Sequence, residues 1–268
     1  MLEGVWAALP PLERLAADPR DLGVVYRSLR ERGVDGCVVF GTTGCGADYS
    51  LRQRVQTLRR FLESGIASRE VVVAVLASAP DDARRLIEAT AEAGVRGVAV
   101  VPPFYGDYTP AELLEWAGKV LRPPLDALEL YLYNIPRATH QVWDPGLLDG
   151  VAALWPLAGI KDSSGDLGLT WRYIQWFRPR GGVVLVGNEA VAVPAIMAGA
   201  SGVISGLAAA YPEAVAALVR AAREQDGKRA AVAQDAVLTI LREVEGCSLR
   251  ATTAWLVQQM RRKGFLAQ

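Results

Sequence analysis

Short apolar runs rich in β-branched residues recur along the chain, at residues 36–40, 71–76, 97–101, 128–133, 158–161, 183–186 and 202–205, and residues 5–8 read as one more ahead of them. They are nearly continuous in apolar character, which suits parallel strands covered on both faces. Helical patterns separate them. Ala83, Leu86, Ile87, Thr90 and Ala91 fall on one helix face, with Asp81 and Asp82 at its positive end and Gly94 at its stop. Thr109-Pro110-Ala111-Glu112 is a capping box with proline at the first helical position, and Leu113, Trp116, Ala117, Val120 and Leu121 form the stripe behind it. Asp166 opens another helix, with Leu169, Tyr173, Trp176 and Phe177 on one side. Strand and helix alternate at intervals of roughly 20–35 residues, about one βα unit each. Eight such units predict an α/β fold of the (β/α)8 TIM-barrel type. A doubly wound open sheet is the competitor, but no G-x-G-x-x-G follows residues 5–8. After a helix at about 212–225, two helical stretches remain, near 227–245 and 249–263. The expected division is a barrel over 1–225 and a short C-terminal helical extension over 226–268 that packs on it.

Composition narrows the function. Twenty-nine Lys+Arg balance 29 Asp+Glu, so binding of nucleic acid through bulk positive charge is excluded. A 51% hydrophobic and 22% charged chain is not disordered. Cys37, Cys45 and Cys247 are too few and too scattered for a disulfide framework, which fits a reducing cytoplasm. The one histidine, His140, excludes a His-rich metal site and reads as a loop residue, and no zinc-type spacing is present. The N-terminal MLEGVWAALPPLERL lacks a basic n-region and a long apolar stretch, so no signal peptide is expected. Residues 190–212 carry no charge, but Pro194, Gly199, Gly202 and Gly206 interrupt them. They read as a buried helix ending near Gly199, a strand at 202–205 and a loop. Neither a membrane nor a nucleic acid is an expected partner.

In such barrels the reacting groups lie at the C-terminal strand ends. Those ends carry Gly41-Thr42-Thr43-Gly44, Pro102-Pro103-Phe104-Tyr105, Tyr133-Asn134-Ile135-Pro136, Lys161 and Gly187-Asn188-Glu189. Lys161 ends an apolar run, and few of the 29 basic residues are lysines. Desolvation disfavours an ammonium, and a neutral amine can attack a carbonyl to form a Schiff base. The plain alternative is a lysine paired with Asp162. Tyr133 lies 28 residues earlier, one βα unit away, so the two belong at the same rim of adjacent strands. A phenol beside an amine can relay protons; the alternative is an aromatic rim residue packed on a loop. Thr42 and Thr43 offer hydroxyls and N–H groups that suit a carboxylate or a proton relay to Tyr133, unless the segment is only a glycine-rich turn. Cys45 reads as a small spacer.

Taken in order, Gly41-Thr42-Thr43-Gly44, Pro103-Phe104-Tyr105, Tyr133-Asn134-Ile135-Pro136, the run Gly159-Ile160-Lys161-Asp162-Ser163-Ser164-Gly165-Asp166, and Gly202-Val203-Ile204-Ser205 resemble the dihydrodipicolinate synthase / N-acetylneuraminate lyase family over roughly residues 4–225. The resemblance implies class I aldolases or related lyases on a (β/α)8 barrel, with no metal or organic cofactor. It implies that the pyruvyl part of a 2-oxo acid forms an imine with Lys161 and that Tyr133 is the general acid/base. Thr42 would link Tyr133 to Tyr105, which in many members reaches in from a neighbouring subunit. Thr43 would hold the substrate carboxylate with backbone amides, Gly41 and Gly44 would be substrate-binding residues beside it, and Gly187 and Ile204 would lie near the pyruvyl group. A homo-oligomer, dimer or tetramer, is the corresponding expectation.

Departures bear on the second substrate. In the lysine-biosynthesis branch an arginine follows the Y-N-x-P motif after one residue; here Arg137 comes one place early and Ala138 stands at that site. Cys45-Gly46 replaces the usual Glu-Ser, and Leu9-Pro10-Pro11-Leu12 replaces the usual T-P-F. These details look more like the 2-keto-3-deoxygluconate aldolases. The leading expectation is therefore cleavage of 2-keto-3-deoxy sugar acids to pyruvate and an aldehyde, with Arg137 a candidate contact for a charged tail. The alternative is 4-hydroxy-tetrahydrodipicolinate synthesis, the condensation of pyruvate with aspartate semialdehyde. A barrel that only binds a 2-oxo acid is a third reading, against which the intact Tyr133, Lys161 and threonine pair argue.

Overall fold

The computed structural model describes residues 1–11, 19–121 and 128–266. Eight strands form a closed parallel barrel in chain order: β1 Gly4–Ala8, β2 Gly36–Val39, β3 Val71–Val75, β4 Gly97–Val100, β5 Glu129–Asn134, β6 Leu157–Asp162, β7 Val183–Val186 and β8 Gly202–Ser205. Closure sets Val5 beside Val203 and Trp6 beside Ile204. Each strand leads to a helix: α1 Pro19–Glu31, α2 Leu51–Glu63, α3 Pro80–Glu92, α4 Pro110–Val120, α5 Leu148–Leu154, α6 Leu167–Phe177, α7 Ala192–Met197 and α8 Pro212–Arg223. The expected (β/α)8 architecture is thus the observed one. Leu12 of the Leu9-Pro10-Pro11-Leu12 run lies outside the described residues.

The apolar runs are continuous because both strand faces are covered. Alternate residues point to opposite sides of a strand. Trp6, Val38, Val72, Ala74, Ala99, Tyr131, Tyr133, Leu185 and Ile204 fill the barrel interior. Val5, Val39, Val73, Val98, Leu132, Ile160, Val184 and Val203 pack outward against the helices. Burying one such side chain contributes about 1.5–3 kcal/mol, so a charge at either set of positions opposes closure. Gly36 makes room for the largest interior residue of β1: a Cβ there would lie 2.3 Å from the Trp6 ring.

The helix starts follow from capping chemistry. Thr109 and Glu112 form the expected reciprocal box, Ser50 and Gln53 form another, and the Asp166 carboxylate accepts from the Leu169 amide. The uncharged stretch at 190–212 resolves into α7, β8 and a loop, and among the described residues no helix is long and apolar enough to cross a membrane.

Two further helices follow, α9 Gly227–Leu241 and α10 Leu249–Arg262. Val237, Leu256 and Met260 join the same buried cluster as the barrel helices. Gln234 of α9 donates to the Glu189 carbonyl and accepts from the Val193 amide, so α9 is stitched to the β7–α7 loop. We propose the division between barrel and extension at 225/226, where Gln225 turns the chain with φ 57°.

Candidate active site

The site is built on the C-terminal ends of β5, β6 and β7. In the β5–β6 ladder Tyr133 is the register partner of Lys161, and Asn134 that of Asp162. Lys161 and Tyr133 therefore face the same way, into the barrel mouth, while Asn134 and Asp162 face the helices. Lys161 is 5% exposed and Tyr133 1% exposed. The Lys161 Nζ lies 4.0 Å from the centroid of the Tyr133 ring. The Tyr133 hydroxyl shares a 3.1 Å hydrogen bond with Thr42 Oγ1. Burial pushes the Tyr133 phenol up, yet the charge of Lys161 and hydrogen bonds involving Thr42, Lys161 and Ser163 outweigh it, so the phenol titrates below the ordinary tyrosine value.

Asp162 does not pair with Lys161, which removes the plain alternative reading of that lysine. Its Oδ1 accepts from Asn134 Nδ2 at 2.9 Å and the Ser164 amide at 3.0 Å. Its Oδ2 accepts from Ser164 Oγ at 3.0 Å and Thr170 Oγ1 at 2.6 Å. The carboxylate is thus satisfied on the outer face and holds the β6–α6 turn. Asn134 Oδ1 in turn accepts from the Trp143 amide.

Gly187 lies at the end of β7, beside the lysine. A Cβ at this position would sit 2.8 Å from Lys161 Cε and 2.0 Å from Ser163 Oγ. The missing side chain leaves room for the extended lysine.

The loop after β2 is tightly folded. Phe40 and Cys45 flank it with φ of 59° and 50°, a region that residues with side chains seldom occupy. The Cys45 and Gly46 amides donate back to the Thr42 and Gly41 carbonyls. Among the described residues the amides of Thr42, Thr43 and Gly44 have no acceptor. A row of free N–H groups next to a lysine and a phenol is chemically suited to a carboxylate.

A cavity of about 620 Å³ opens over this centre. Thr42, Thr43, Tyr133, Lys161, Gly187 and Ile204 all line it. Arg137 also lines it, with Nη2 donating to the Cys247 carbonyl at 3.3 Å. Gly41 and Gly44 do not line it; they shape the turn, and a Cβ on Gly44 would lie 2.9 Å from the Leu9 carbonyl. Tyr105 is the residue that one chain does not bring in: it is 86% exposed, and among the described residues the Thr42 hydroxyl is hydrogen-bonded to Tyr133 and not to Tyr105. His140 is an exposed loop residue with φ 56° at the end of the single turn Pro136–Thr139. Among the described residues no cluster of His, Cys, Asp or Glu could hold a metal ion.

Sequence reasoning did not anticipate the outer wall. Ser163, Glu189, Arg242, Thr252 and Trp255 also line the cavity, and the last three come from the extension. Ser163 follows Lys161 by two residues, so strand alternation alone could have placed it. Glu189 belongs to the strand-end run Gly187-Asn188-Glu189; no local pattern points to Arg242, Thr252 and Trp255, since their position depends on how α9 and α10 fold back over the barrel.

Comparison with known proteins agrees with this geometry. The model of the dihydrodipicolinate synthetase family matches residues 18–261. The 4-hydroxy-tetrahydrodipicolinate synthase of Methanoculleus marisnigri is 29% identical over 236 residues, 87% of this chain and 80% of that protein. The enzyme of the same name from Methanosarcina acetivorans is 31% identical over 198 residues, 74% of this chain and 67% of that protein. Among solved structures, dihydrodipicolinate synthase from Bacteroides thetaiotaomicron superposes with a TM-score of 0.86 at 23% identity, covering 99% of this chain and 90% of that one. KD(P)GA from T. tenax superposes at 0.82 and 22%, covering 97% and 87%. The two structures speak for the fold; the family match spans nearly the whole described sequence. The chain belongs to the dihydrodipicolinate synthetase family.

Proposed function

We propose that the chain is a pyruvate-dependent class I aldolase in which Lys161 carries the Schiff base and Tyr133 moves the protons. The observation that carries this is the buried Lys161–Tyr133 pair in one strand register, with Thr42 on the phenol. Family membership makes the protein an enzyme of the carbon–carbon lyase class. Its own residues supply the steps. A phenol held below its usual range can take the proton that Lys161 must lose before its amine attacks. The amine adds to C2 of pyruvate; the hydroxyl of the resulting carbinolamine leaves as water on receiving a proton from Tyr133. The imine draws electrons from C3, so the Tyr133 phenolate takes a C3 proton and an enamine forms. In condensation the C3 of the enamine attacks an aldehyde carbon while the aldehyde oxygen takes that proton from Tyr133. Cleavage is the reverse, opened by removal of the C4 hydroxyl proton by Tyr133. The free amides of Thr42 and Thr43 bind the carboxylate throughout, and Gly187 and Ile204 border the pyruvyl group. The Thr42 hydroxyl continues the relay toward Tyr105, supplied by a second copy in a homo-oligomer.

For the second substrate, the curated relatives shift the balance. Both are named 4-hydroxy-tetrahydrodipicolinate synthase, which favours condensation with aspartate semialdehyde over the sugar-acid cleavage that the motif details suggested. Cleavage of 2-keto-3-deoxy acids stays as the second reading because Ala138 stands where the lysine-biosynthesis branch keeps its arginine, and Arg137 is engaged with the Cys247 carbonyl.

Incubation with pyruvate followed by borohydride tests the chemistry. A reduced adduct 72 Da heavier than the chain is expected on about every Lys161, with none in Lys161→Ala and a rate about 10²-fold or more lower in Tyr133→Phe. A wild-type chain that yields no adduct refutes the aldolase reading. Product analysis with aspartate semialdehyde against 2-keto-3-deoxygluconate then separates the two second substrates.

A further inference from the structure

We infer that Thr253, on the C-terminal extension, is a positioning residue that sets the pyruvate-carboxylate affinity of the Thr42–Thr43 segment. The inference rests on the reading of that segment as the carboxylate receptor. Its starting point is a hydroxyl that behaves unlike its peers. A threonine inside a helix usually donates to the carbonyl four residues back. Thr90 and Thr252 do so, to Leu86 and Ser248. Thr253, 7% exposed, instead donates to the Thr43 carbonyl at 3.1 Å, across 210 residues of sequence.

That carbonyl belongs to the peptide joining Thr43 to Gly44. A peptide is planar, so holding its oxygen fixes the plane and the torsions on either side. The plane matters because the Thr42, Thr43 and Gly44 amides have no acceptor among the described residues and must converge on one anion. The loop cannot be relied on to keep this shape alone, since Phe40 and Cys45 hold left-handed conformations that residues with a Cβ resist.

The rest of the same helix face reinforces the hold. One turn before Thr253, Arg250 meets Asp48 through two 2.9 Å hydrogen bonds. One turn after it, Leu256 approaches the same spot as Thr43: a Cβ built on Gly206 would lie 3.5 Å from Leu256 Cδ1 and 3.1 Å from Thr43 Oγ1. Spacing of three residues puts Arg250, Thr253 and Leu256 on one side of α10. The extension therefore grips the loop at its far end, in its middle and beside its threonine, and among the described residues no hydrogen bond or ion pair joins it to Lys161 or Tyr133.

The test measures adduct formation against pyruvate concentration in the full chain. Thr253→Val keeps the shape and removes the hydroxyl. The half-saturating pyruvate concentration is expected to rise about five- to tenfold, the scale of one lost hydrogen bond, while the plateau rate stays within about twofold. Thr253→Ser restores the wild-type value. With methyl pyruvate, which lacks the charged carboxylate, wild type and Thr253→Val are expected to coincide. Should Thr253→Val fail to fold, Arg250→Gln at the exposed end of the same face gives the second readout, a rise of about twofold at low salt. A half-saturation equal to wild type in the folded Thr253→Val chain overturns the inference, as does a Ser variant that fails to restore it, or an equal shift with methyl pyruvate. If only Arg250→Gln can be measured, an unchanged half-saturation overturns it. A wild-type chain without adduct sinks the aldolase reading and this inference together; a wild-type adduct with an indifferent Thr253→Val sinks this inference alone.

Discussion

Gly187→Ala is the sharpest probe of how closely the lysine is held. The added Cβ would stand 2.8 Å from Lys161 Cε and 2.0 Å from Ser163 Oγ. Relaxed carbon contacts begin near about 3.5 Å, so the end of the lysine must retreat by roughly 0.7 Å even after the serine rotates away. A misplacement of about 1 Å at a reacting centre costs about 10²-fold in rate. Adduct formation with pyruvate should therefore slow by about 10- to 100-fold. Overpacking of this kind also costs about 1–3 kcal/mol, or roughly 2–12 °C in Tm for a chain of this size. Gly118→Ala is the control: a Cβ there would lie 4.0 Å from its nearest neighbours, in the last turn of α4, so stability should hold or rise and the adduct rate should not change. Ser163→Ala combined with Gly187→Ala removes the serine collision and keeps the lysine one. It should remain slow relative to Ser163→Ala alone. If the combined variant recovers the Ser163→Ala rate, the lysine is not constrained as argued.

Three other outcomes follow from the geometry. Lys161→Met should raise the pH at which Tyr133 ionises, read from phenolate absorbance, because burial remains and the offsetting charge is gone. In the wild type the folded value lies below the unfolded one of about 10, so the contribution to stability is fully present above the unfolded value and fades as pH falls through the folded one. In Lys161→Met that contribution should shrink, so stability should rise less with pH than in the wild type. Asp162→Asn places a donor among four donors and should lower stability by about 1–3 kcal/mol in urea titration; an unchanged midpoint would show that the turn does not depend on the carboxylate. Mixing Tyr105→Phe with Lys161→Ala should recover part of the activity that each lacks, since one copy keeps the lysine and the other keeps the tyrosine; mixtures no more active than their components argue against exchange of Tyr105 between copies.

Some of the molecule was legible before any coordinates, for identifiable reasons. Parallel strands buried on both faces leave unbroken apolar runs, and the edges of 183–186 and 202–205 coincide with β7 and β8. The 28-residue interval from Tyr133 to Lys161 is one βα unit, and the two are register partners. Local chemistry also reads well: the Thr109 box and the Asp166 cap need only neighbouring residues. What escaped is what depends on distant contacts. Thr253 looks like any helical threonine until the extension folds back across 210 residues onto Thr43. Trp255 and Arg242 reach the cavity for the same reason. Asp162 sits next to Lys161 in sequence and invites a pairing, but strand alternation sends the two to opposite faces.

The imine-forming pair is anchored in neighbouring strands, whereas much of the cavity's rim is contributed by the last two helices. The reacting pair and much of the rim are thereby housed in different segments of the chain. Grafting residues 226–266 from a relative onto this barrel should change which aldehyde is accepted while the reaction with pyruvate survives, so one scaffold can be retargeted from its tail.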